Sequence, residues 1–192
     1  MQNFIAQECE KIADNFIQLK QLAPTVQQIV DACILALNKG NKVMFCGNGG
    51  SASQALHLAA ELVGRYKCNR PAMASVALST DIAILTAVGN DYGFDQIFAR
   101  QVEGIGKAGD ILIGLSTSGN SKNVVLAFET AKMKGIKTIS FTGAKGGQMA
   151  LMADIALKVP SDTTNYIQEM HLALGHMLCG LIEEKLCENE SK

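Results

Sequence analysis

An imidazole and a carboxylate stand four residues apart in a segment that has the apolar pattern of a helix. His57 and Glu61 lie among Leu56, Leu58 and Leu62, and side chains at positions i and i+4 project from the same face of a helix. Such a pair can move protons between substrate atoms or help to bind a metal ion such as zinc. Two polar residues on an otherwise buried helix, without a chemical role, are the alternative that this segment leaves open.

The other two histidines occur in the last helical segment, which is predicted from about Thr163 to Leu186. Gln168 and His176 are eight residues apart, a rotation of two turns plus about 80°, so both side chains can reach one cavity. His171 and Glu169 point to other sides of this helix, and we expect them to lie at the surface or at an interface. Two imidazoles, a carboxylate and an amide can therefore converge, either as a zinc site or as an acid/base pair.

A glycine-rich turn precedes the helix that carries His57. The segment Val43–Cys46 is short and apolar, as buried strands are, and Gly47–Gly50 follows before Ser51, a favourable helix N-cap. Glycines let a ligand approach the backbone closely, and the free N–H groups at a helix start favour an anion such as phosphate. The turn has neither the third glycine of the G-x-G-x-x-G motif nor a Walker lysine, which argues against a nucleotide.

A second loop suited to phosphate is Ser116–Ser121. Five of its six side chains are hydroxyls or amides, and a helix is predicted to begin at its end. Hydroxyls together with helix N–H groups suit a phosphate monoester where the chain offers no basic cluster. A serine-rich turn with an N-cap is the alternative for this loop alone. Two such loops at one edge of a sheet favour phosphate.

Short apolar segments alternate with helical patterns from Lys42 onwards, which predicts an α/β fold with a parallel sheet and helices on both faces. The strands are predicted at Val43–Cys46, Ser75–Leu78, Ile111–Leu115, Thr138–Phe141 and Ile155–Val159. The helices between them are predicted at Ser51–Tyr66, Asp81–Val88, Asp95–Gly106 and Lys122–Lys134. We expect one domain over residues 1–192, with a helical hairpin in residues 1–40 and the core in residues 41–192. The hairpin, interrupted at Pro24, could cover the sheet or pack on a second subunit.

The composition argues against nucleic acid and membranes as partners. The formal net charge is −1 and 48% of the residues are hydrophobic, so a full core is available and no basic surface is expected. No apolar run reaches the roughly 18 residues of a membrane helix, and the N-terminal residues lack a signal-peptide core, so we expect a soluble cytoplasmic protein. The six scattered cysteines are predicted to be buried thiols rather than disulfides or a zinc site.

Five motifs, in this order, resemble the sugar isomerase (SIS) domain family: CGNGGSASQALHLAAEL, VGNDYGF, LSTSGNSKNV, TGAKGG and IQEMHLALGHMLCGLIE. The resemblance covers essentially the whole chain and is strongest to members that isomerise seven-carbon sugar phosphates. It implies a three-layer sandwich around a five-stranded parallel sheet, assembled as a homotetramer. It also implies conversion of D-sedoheptulose 7-phosphate to D-glycero-D-manno-heptose 7-phosphate, the first step towards the ADP-heptose of lipopolysaccharide cores. Several members bind zinc in an active site shared between subunits.

The same resemblance implies the roles of individual residues. The zinc ligands would be His57, Glu61, Gln168 and His176, with one ion per subunit, and Glu61 and His176 would also be the catalytic acid/base pair. Substrate would contact Asn48, Gly49, Gly50, Glu61, Asn90, Asp91, Ser116, Thr117, Ser118, Ser121 and Gln168. Asn165 stands where some members carry Asp, which puts an assisting carboxylate at that position in doubt.

The chemistry expected from these residues is proton transfer through an enediol. Glu61 would move a proton between two neighbouring carbons, and His176 would move one between the two oxygens. Metal coordination lowers the basicity of a carboxylate, so zinc in a structural role is an alternative to zinc as a Lewis acid.

Two other functions are compatible with the same fold. One is a non-catalytic tetramer of the replication-initiator-associating type, which binds proteins and does not keep the acid/base pair that Glu61 and His176 form here. The other is an isomerase or sensor for a different sugar phosphate, such as a heptose of capsule synthesis, for which the loop Tyr92–Phe94 would set the pocket size.

Overall fold

Five short strands form one parallel sheet: β1 (Val43–Gly47), β2 (Ser75–Ala77), β3 (Ile111–Leu115), β4 (Lys137–Thr142) and β5 (Ile155–Lys158). Their order across the sheet is β2-β1-β3-β4-β5, and every neighbouring pair is parallel. This is a computed structural model, and it describes residues 2–190 of the chain. Met1 and residues 191–192, which the one-domain prediction included, lie outside the described residues.

The strand order reverses direction between β1 and β3. The chain leaves β1 for β2 on one side and then returns to place β3 on the other side of β1. In open parallel sheets, ligands bind at the carboxyl ends of the two strands that flank such a reversal. The glycine turn follows β1 and the serine loop follows β3, so the topology brings the two predicted phosphate loops to this one crevice.

Eight α-helices surround the sheet over the described range. They are α1 (Gln2–Gln18), α2 (Ala23–Asn38), α3 (Gly50–Val63), α4 (Ile82–Tyr92), α5 (Ala99–Ile105), α6 (Lys122–Met133), α7 (Gly147–Met152) and α8 (Thr164–Glu190). Short 3-10 turns occur at Leu19–Leu22 and Phe94–Gln96. No helix in residues 2–190 combines the length and the apolar character needed to cross a bilayer.

The core has one apolar layer on each face of the sheet. Helices α2, α3 and α8 cover the face that carries Phe45 and Ile113, while α5, α6 and α7 cover the face that carries Met44 and Leu112. Alternate residues of β1 and β3 thus enter opposite layers, as the pleat requires. Strands β1 and β3 are buried over their whole length, in agreement with their apolar sequences.

The predicted α/β fold is confirmed, and each strand lies within one residue of its predicted ends. The helices differ more. Helix α3 ends at Val63 rather than Tyr66, because the connection that follows folds back and binds its last carbonyls. The helix predicted over Asp95–Gly106 is divided into the 3-10 turn and α5. Helix α7 was not predicted, since its six residues are too few to show a helical period.

The expectation that every cysteine is buried is wrong for two of them. Cys9 and Cys68 are exposed, whereas Cys33, Cys46 and Cys179 are buried. Burial in apolar surroundings raises the pKa of each of these three thiols to about 12, which keeps them protonated and unreactive.

The expectation that His171 lies at the surface is also wrong. Its side chain is fully buried, and its ring meets that of Phe141 in β4 edge-on, with 5.7 Å between centroids. Helix α8 packs along the sheet, so the side of the helix that was expected at the surface or at an interface is covered by β4 at His171. Burial lowers the pKa of His171 to about 4, and a backbone contact with Thr142 opposes this only in part.

This burial predicts a specific loss of stability in mild acid. The unfolded chain protonates His171 below about pH 6.5, and the folded chain does so only near pH 4, so stability is complete above this window and falls with pH inside it. The loss should reach about 3 kcal/mol, measured by urea unfolding at several pH values. His171→Leu should flatten this slope, and Leu178→Met, another buried position of α8, should retain it. Equal slopes in wild type and His171→Leu would contradict the assignment.

Candidate active site

Helices α3 and α8 bring together three of the four predicted metal ligands. The Nε2 atoms of His57 and His176 are 2.8 Å apart, and Glu61 Oε1 lies 3.2 Å from His57 Nε2. One ligand atom from each of the three residues lies within 4.8 Å of the other two. The side chain of His57 is 48% exposed and that of Glu61 is 21% exposed, so the cluster opens to solvent on one side.

A close approach of the two helices makes this convergence possible. A Cβ atom on Gly175 would lie 2.6 Å from the methyl carbons of Leu58, so any larger residue would push α8 away from α3. Leu58 directly follows His57, and Gly175 directly precedes His176. Each histidine is therefore the sequence neighbour of a residue in this close contact.

The donor set fits a zinc ion. Two ligands about 2.1 Å from a tetrahedral ion are about 3.4 Å apart, close to the 3.2 Å between His57 and Glu61. The two imidazole nitrogens, 2.8 Å apart, would have to separate by about half an ångström, which the exposed ring of His57 allows. At 2.8 Å one of these nitrogens must be protonated and donate a hydrogen bond, and the other must be unprotonated and accept it.

Gln168, the fourth predicted ligand, lies against the glycine turn. A Cβ atom on Gly50 would be 2.7 Å from its side-chain amide, so the amide packs directly on the backbone of Gly50. Its backbone carbonyl accepts a hydrogen bond of 2.6 Å from Gln54 Nε2. Gln54 was not singled out from the sequence, although it stands three residues before His57 on α3. It ties the start of α3 to α8 beside the cluster.

The serine loop is closed by its own hydroxyls. Ser116 Oγ lies 2.8 Å from Ser121 Oγ and 3.5 Å from Ser118 Oγ, and it accepts the N–H of Gly119 at 3.2 Å. Ser121 is the residue before α6 and makes no side-chain cap to that helix. The start of α6 is thus free of a side-chain cap, and N–H groups at a helix start together with several hydroxyls suit an anion.

A pair of side-chain amides joins the two predicted phosphate loops. Asn48 Nδ2 donates to Asn123 Oδ1 at 2.9 Å, and Asn123 Nδ2 donates to Asn48 Oδ1 at 2.8 Å. Asn123 is 2% exposed. It was missed from the sequence, where an amide one residue inside a helix has no distinctive pattern.

The TGAKGG motif and the start of α7 pack against the serine loop. Asn120 Oδ1 accepts the backbone N–H of Gln148 at 2.9 Å. Gly119 has a φ of +68°, and a Cβ atom there would lie 1.9 Å from the carbonyl oxygen of Gly146. Positive φ and close backbone contact together require glycine at this position. The start of α7 thus fixes the shape of the phosphate loop.

Asn90 and Asp91 lie at the end of α4, where both are exposed. Asn90 Nδ2 donates to Asp91 Oδ1 at 2.8 Å. None of the residues of α4 is buried, and the apolar side chains of Ile82 and Tyr92 are 74% and 59% exposed. The contact of Asn90 and Asp91 with substrate stays a prediction.

Comparison with known proteins identifies the family. The SIS domain family matches residues 7–143. A phosphoheptose isomerase of Akkermansia muciniphila is 54% identical, over 97% of this chain and 98% of that protein. A phosphoheptose isomerase of Rhodospirillum rubrum is 52% identical, over 97% of this chain and all of that protein. The structure of phosphoheptose isomerase from Neisseria gonorrhoeae superposes with a TM-score of 0.90 at 40% identity, covering 95% of this chain and 98% of that chain.

The chain therefore belongs to the SIS domain family. Within it the chain groups with the phosphoheptose isomerases, which makes it a phosphosugar isomerase. The resemblance seen in the five sequence motifs is confirmed.

Gly119→Ala tests the support of the phosphate loop. The added methyl group would meet the backbone of Gly146, and the positive φ would be strained, so we expect the free energy of unfolding to fall by at least about 2 kcal/mol. The KM for a sugar phosphate should rise as well. Gly104→Ala is the control, because a Cβ at this position of α5 meets nothing within 4 Å. It should be neutral or stabilise by up to about 1 kcal/mol. Equal unfolding free energies for the two variants would refute the argument.

Proposed function

We propose that this protein interconverts D-sedoheptulose 7-phosphate and D-glycero-D-manno-heptose 7-phosphate, the first step towards ADP-heptose for lipopolysaccharide cores. The observation that carries the proposal is the convergence of Glu61 and His176 on α3 and α8, in a chain that also carries the serine loop at the carboxyl end of β3. A carboxylate and an imidazole serve proton transfer, and hydroxyls with helix N–H groups serve a phosphate monoester. The names of the relatives indicate a phosphoheptose, and the resemblance to the SIS family implies that the ketose is sedoheptulose 7-phosphate.

The substrate phosphate would bind at Ser116, Thr117, Ser118 and Ser121. The net charge of −1 gives the protein no general attraction for anions, so the phosphate must be held by local donors. Asn48, Gly49 and Gly50 would contact the sugar. Support comes from the contacts that link these parts, because Asn48 pairs with the helix after the serine loop and Gln168 lies on Gly50.

The reaction would proceed by proton transfer at two neighbouring carbons. Glu61 as carboxylate removes a proton from C1 of the ketose, which leaves an enediol, and then delivers a proton to C2. His176 moves a proton between the oxygens on C1 and C2, so that the carbonyl passes from C2 to C1. One base on one face of the enediol is sufficient for this sequence.

Zinc would be held by His57, Glu61, Gln168 and His176. When bound, it would supply a Lewis acid that polarises the carbonyl and stabilises negative charge on oxygen. Glu61 is a weaker base while it binds a metal, so its carboxylate must be free of the ion when it accepts the proton. A structural role for zinc, with Glu61 and His176 alone handling protons, remains the second possibility for this ion.

Assembly as a homotetramer is part of the proposal. Phe4 on α1 and Ile82 on α4 are 65% and 74% exposed, and apolar side chains of this size are more stable when a second subunit covers them. Asn90 and Asp91, at the end of α4, would then reach substrate through such a contact. The cytoplasmic location predicted from the sequence belongs to the same proposal.

Glu61→Gln should lower kcat by about 10²- to 10⁴-fold, because the amide keeps the shape of the side chain and cannot accept the proton. The assay is conversion of sedoheptulose 7-phosphate to the aldose phosphate, with folding checked by thermal unfolding. Glu103→Gln is the control, since Glu103 is 60% exposed and pairs only with Arg100 among the described ion pairs. A Glu61→Gln protein with the kcat of wild type would rule out the single-base mechanism.

Zinc binding can be tested without activity. Equilibrium dialysis of the metal-free protein should show about one Zn²⁺ per subunit, and His57→Asn should weaken binding by more than about tenfold because a ligand is lost. His171→Leu should bind as wild type does, because that imidazole is buried against Phe141. Absence of zinc binding in wild type, or full binding by His57→Asn, would remove zinc from the proposal.

A further inference from the structure

A buried ion pair joins α8 to the chain segment that follows α3. Glu183 of α8 and Arg70 are each only 2% exposed, with Glu183 Oε2 3.0 Å from Arg70 Nε. Burial opposes the charged form of Glu183, but backbone N–H groups and Arg70 outweigh this and hold the pKa of the carboxyl below its ordinary value. Removing two charges from water costs about as much as their attraction returns, so net stability is a weak reason for the pair.

Glu183 binds the loop that follows α3. Its carboxylate accepts the backbone N–H groups of Tyr66 at 2.8 Å, Lys67 at 2.6 Å and Cys68 at 2.8 Å. The ring of Tyr66 lies against the imidazole of His176, with centroids 5.9 Å apart and planes tilted by 33°. Glu183 itself stands about two helical turns after His176. The same carboxylate therefore fixes both the helix that carries His176 and the ring beside it.

Arg70 binds the end of α3. Its Nη2 donates to the carbonyl oxygen of Glu61 at 2.9 Å, and its Nη1 donates to those of Leu62 at 2.9 Å and Gly64 at 3.3 Å. The last carbonyls of a helix have no partner within the helix, so Arg70 closes α3 at the residue that carries the proposed base. A planar guanidinium fixes these directions, whereas a lysine ammonium would not.

We propose that Arg70 and Glu183 are positioning residues that set the separation of Glu61 and His176. This proposal rests on the isomerase function proposed above. Arg70 holds the backbone of the base. Glu183 holds the ring that packs on the imidazole. A displacement of about 1 Å at a reacting group can lower a rate by about 100-fold. The ion pair thus controls turnover through two residues that contact substrate, without itself contacting substrate.

Glu183→Gln tests this, because it keeps the shape of the side chain and removes its charge. We expect kcat for sedoheptulose 7-phosphate to fall by about 10- to 100-fold, while KM changes by less than about threefold because the phosphate loops are untouched. Arg70→Lys keeps the charge and loses the planar guanidinium, so it should also lower kcat with little change in KM. If Glu183→Gln does not fold, Arg70→Lys is measured in its place. Rates are measured well below the unfolding temperature of each variant.

Asp110→Asn is the matched control. Asp110 is 1% exposed, pairs with Lys42 and accepts the backbone N–H of Lys107. Its described hydrogen bonds go to Asn41, Lys42 and Lys107 and none goes to α3 or to the ring of Tyr66. Its variant should lose comparable thermal stability and keep the kcat of wild type. A wild-type kcat in folded Glu183→Gln, or an equal loss in Asp110→Asn, would overturn the positioning role. A wild-type protein without turnover would instead overturn the proposed function.

Discussion

The close packing of α3 against α8 is the constraint on which the site depends. Leu58 fills the space left by the missing side chain of Gly175, and Cys179 Sγ lies 3.8 Å from the carbonyl oxygen of Leu58. The two imidazoles flank this contact and meet at 2.8 Å. A methyl group added at Gly175 would clash with the side chain of buried Leu58, and close-packed interiors adapt to such a clash only at a cost in stability.

The sheet determines where this helix pair stands. Strands β1 and β3 are parallel neighbours, and the strand order reverses between them. Helix α3 begins directly after the glycine turn of β1. Gln168 of α8 reaches the same turn and packs on Gly50. The carboxyl edge of the parallel sheet thus holds the predicted anion-binding loops, and α3 and α8 carry the titratable groups along one face of the sheet. Rigid strands and helices hold ligand-binding loops in place, and changes in those loops allow one fold to serve different reactions.

The strands and the shared helix face of His57 and Glu61 could be predicted because their signals are local. Strand burial shows in short apolar runs, and the spacing of His57 and Glu61 on one helix is fixed by helix geometry. Asn123 and Arg70 could not be found in this way, since their partners Asn48 and Glu183 are 75 and 113 residues distant in sequence. The burial of His171 likewise depends on which strand the last helix covers.

Isomerisation in deuterated water tests the central claim most directly. Purified wild-type protein of known metal content is incubated with sedoheptulose 7-phosphate, and both the aldose phosphate and deuterium beside the carbonyl are followed by NMR. A single carboxylate working through an enediol predicts conversion together with deuterium at C2 of the aldose, because Glu61 exchanges its proton with solvent between removal and return. Conversion and deuterium uptake at wild-type rates in the Glu61→Gln protein would contradict that mechanism, and absence of both conversion and exchange in folded wild-type protein would contradict the isomerase function itself.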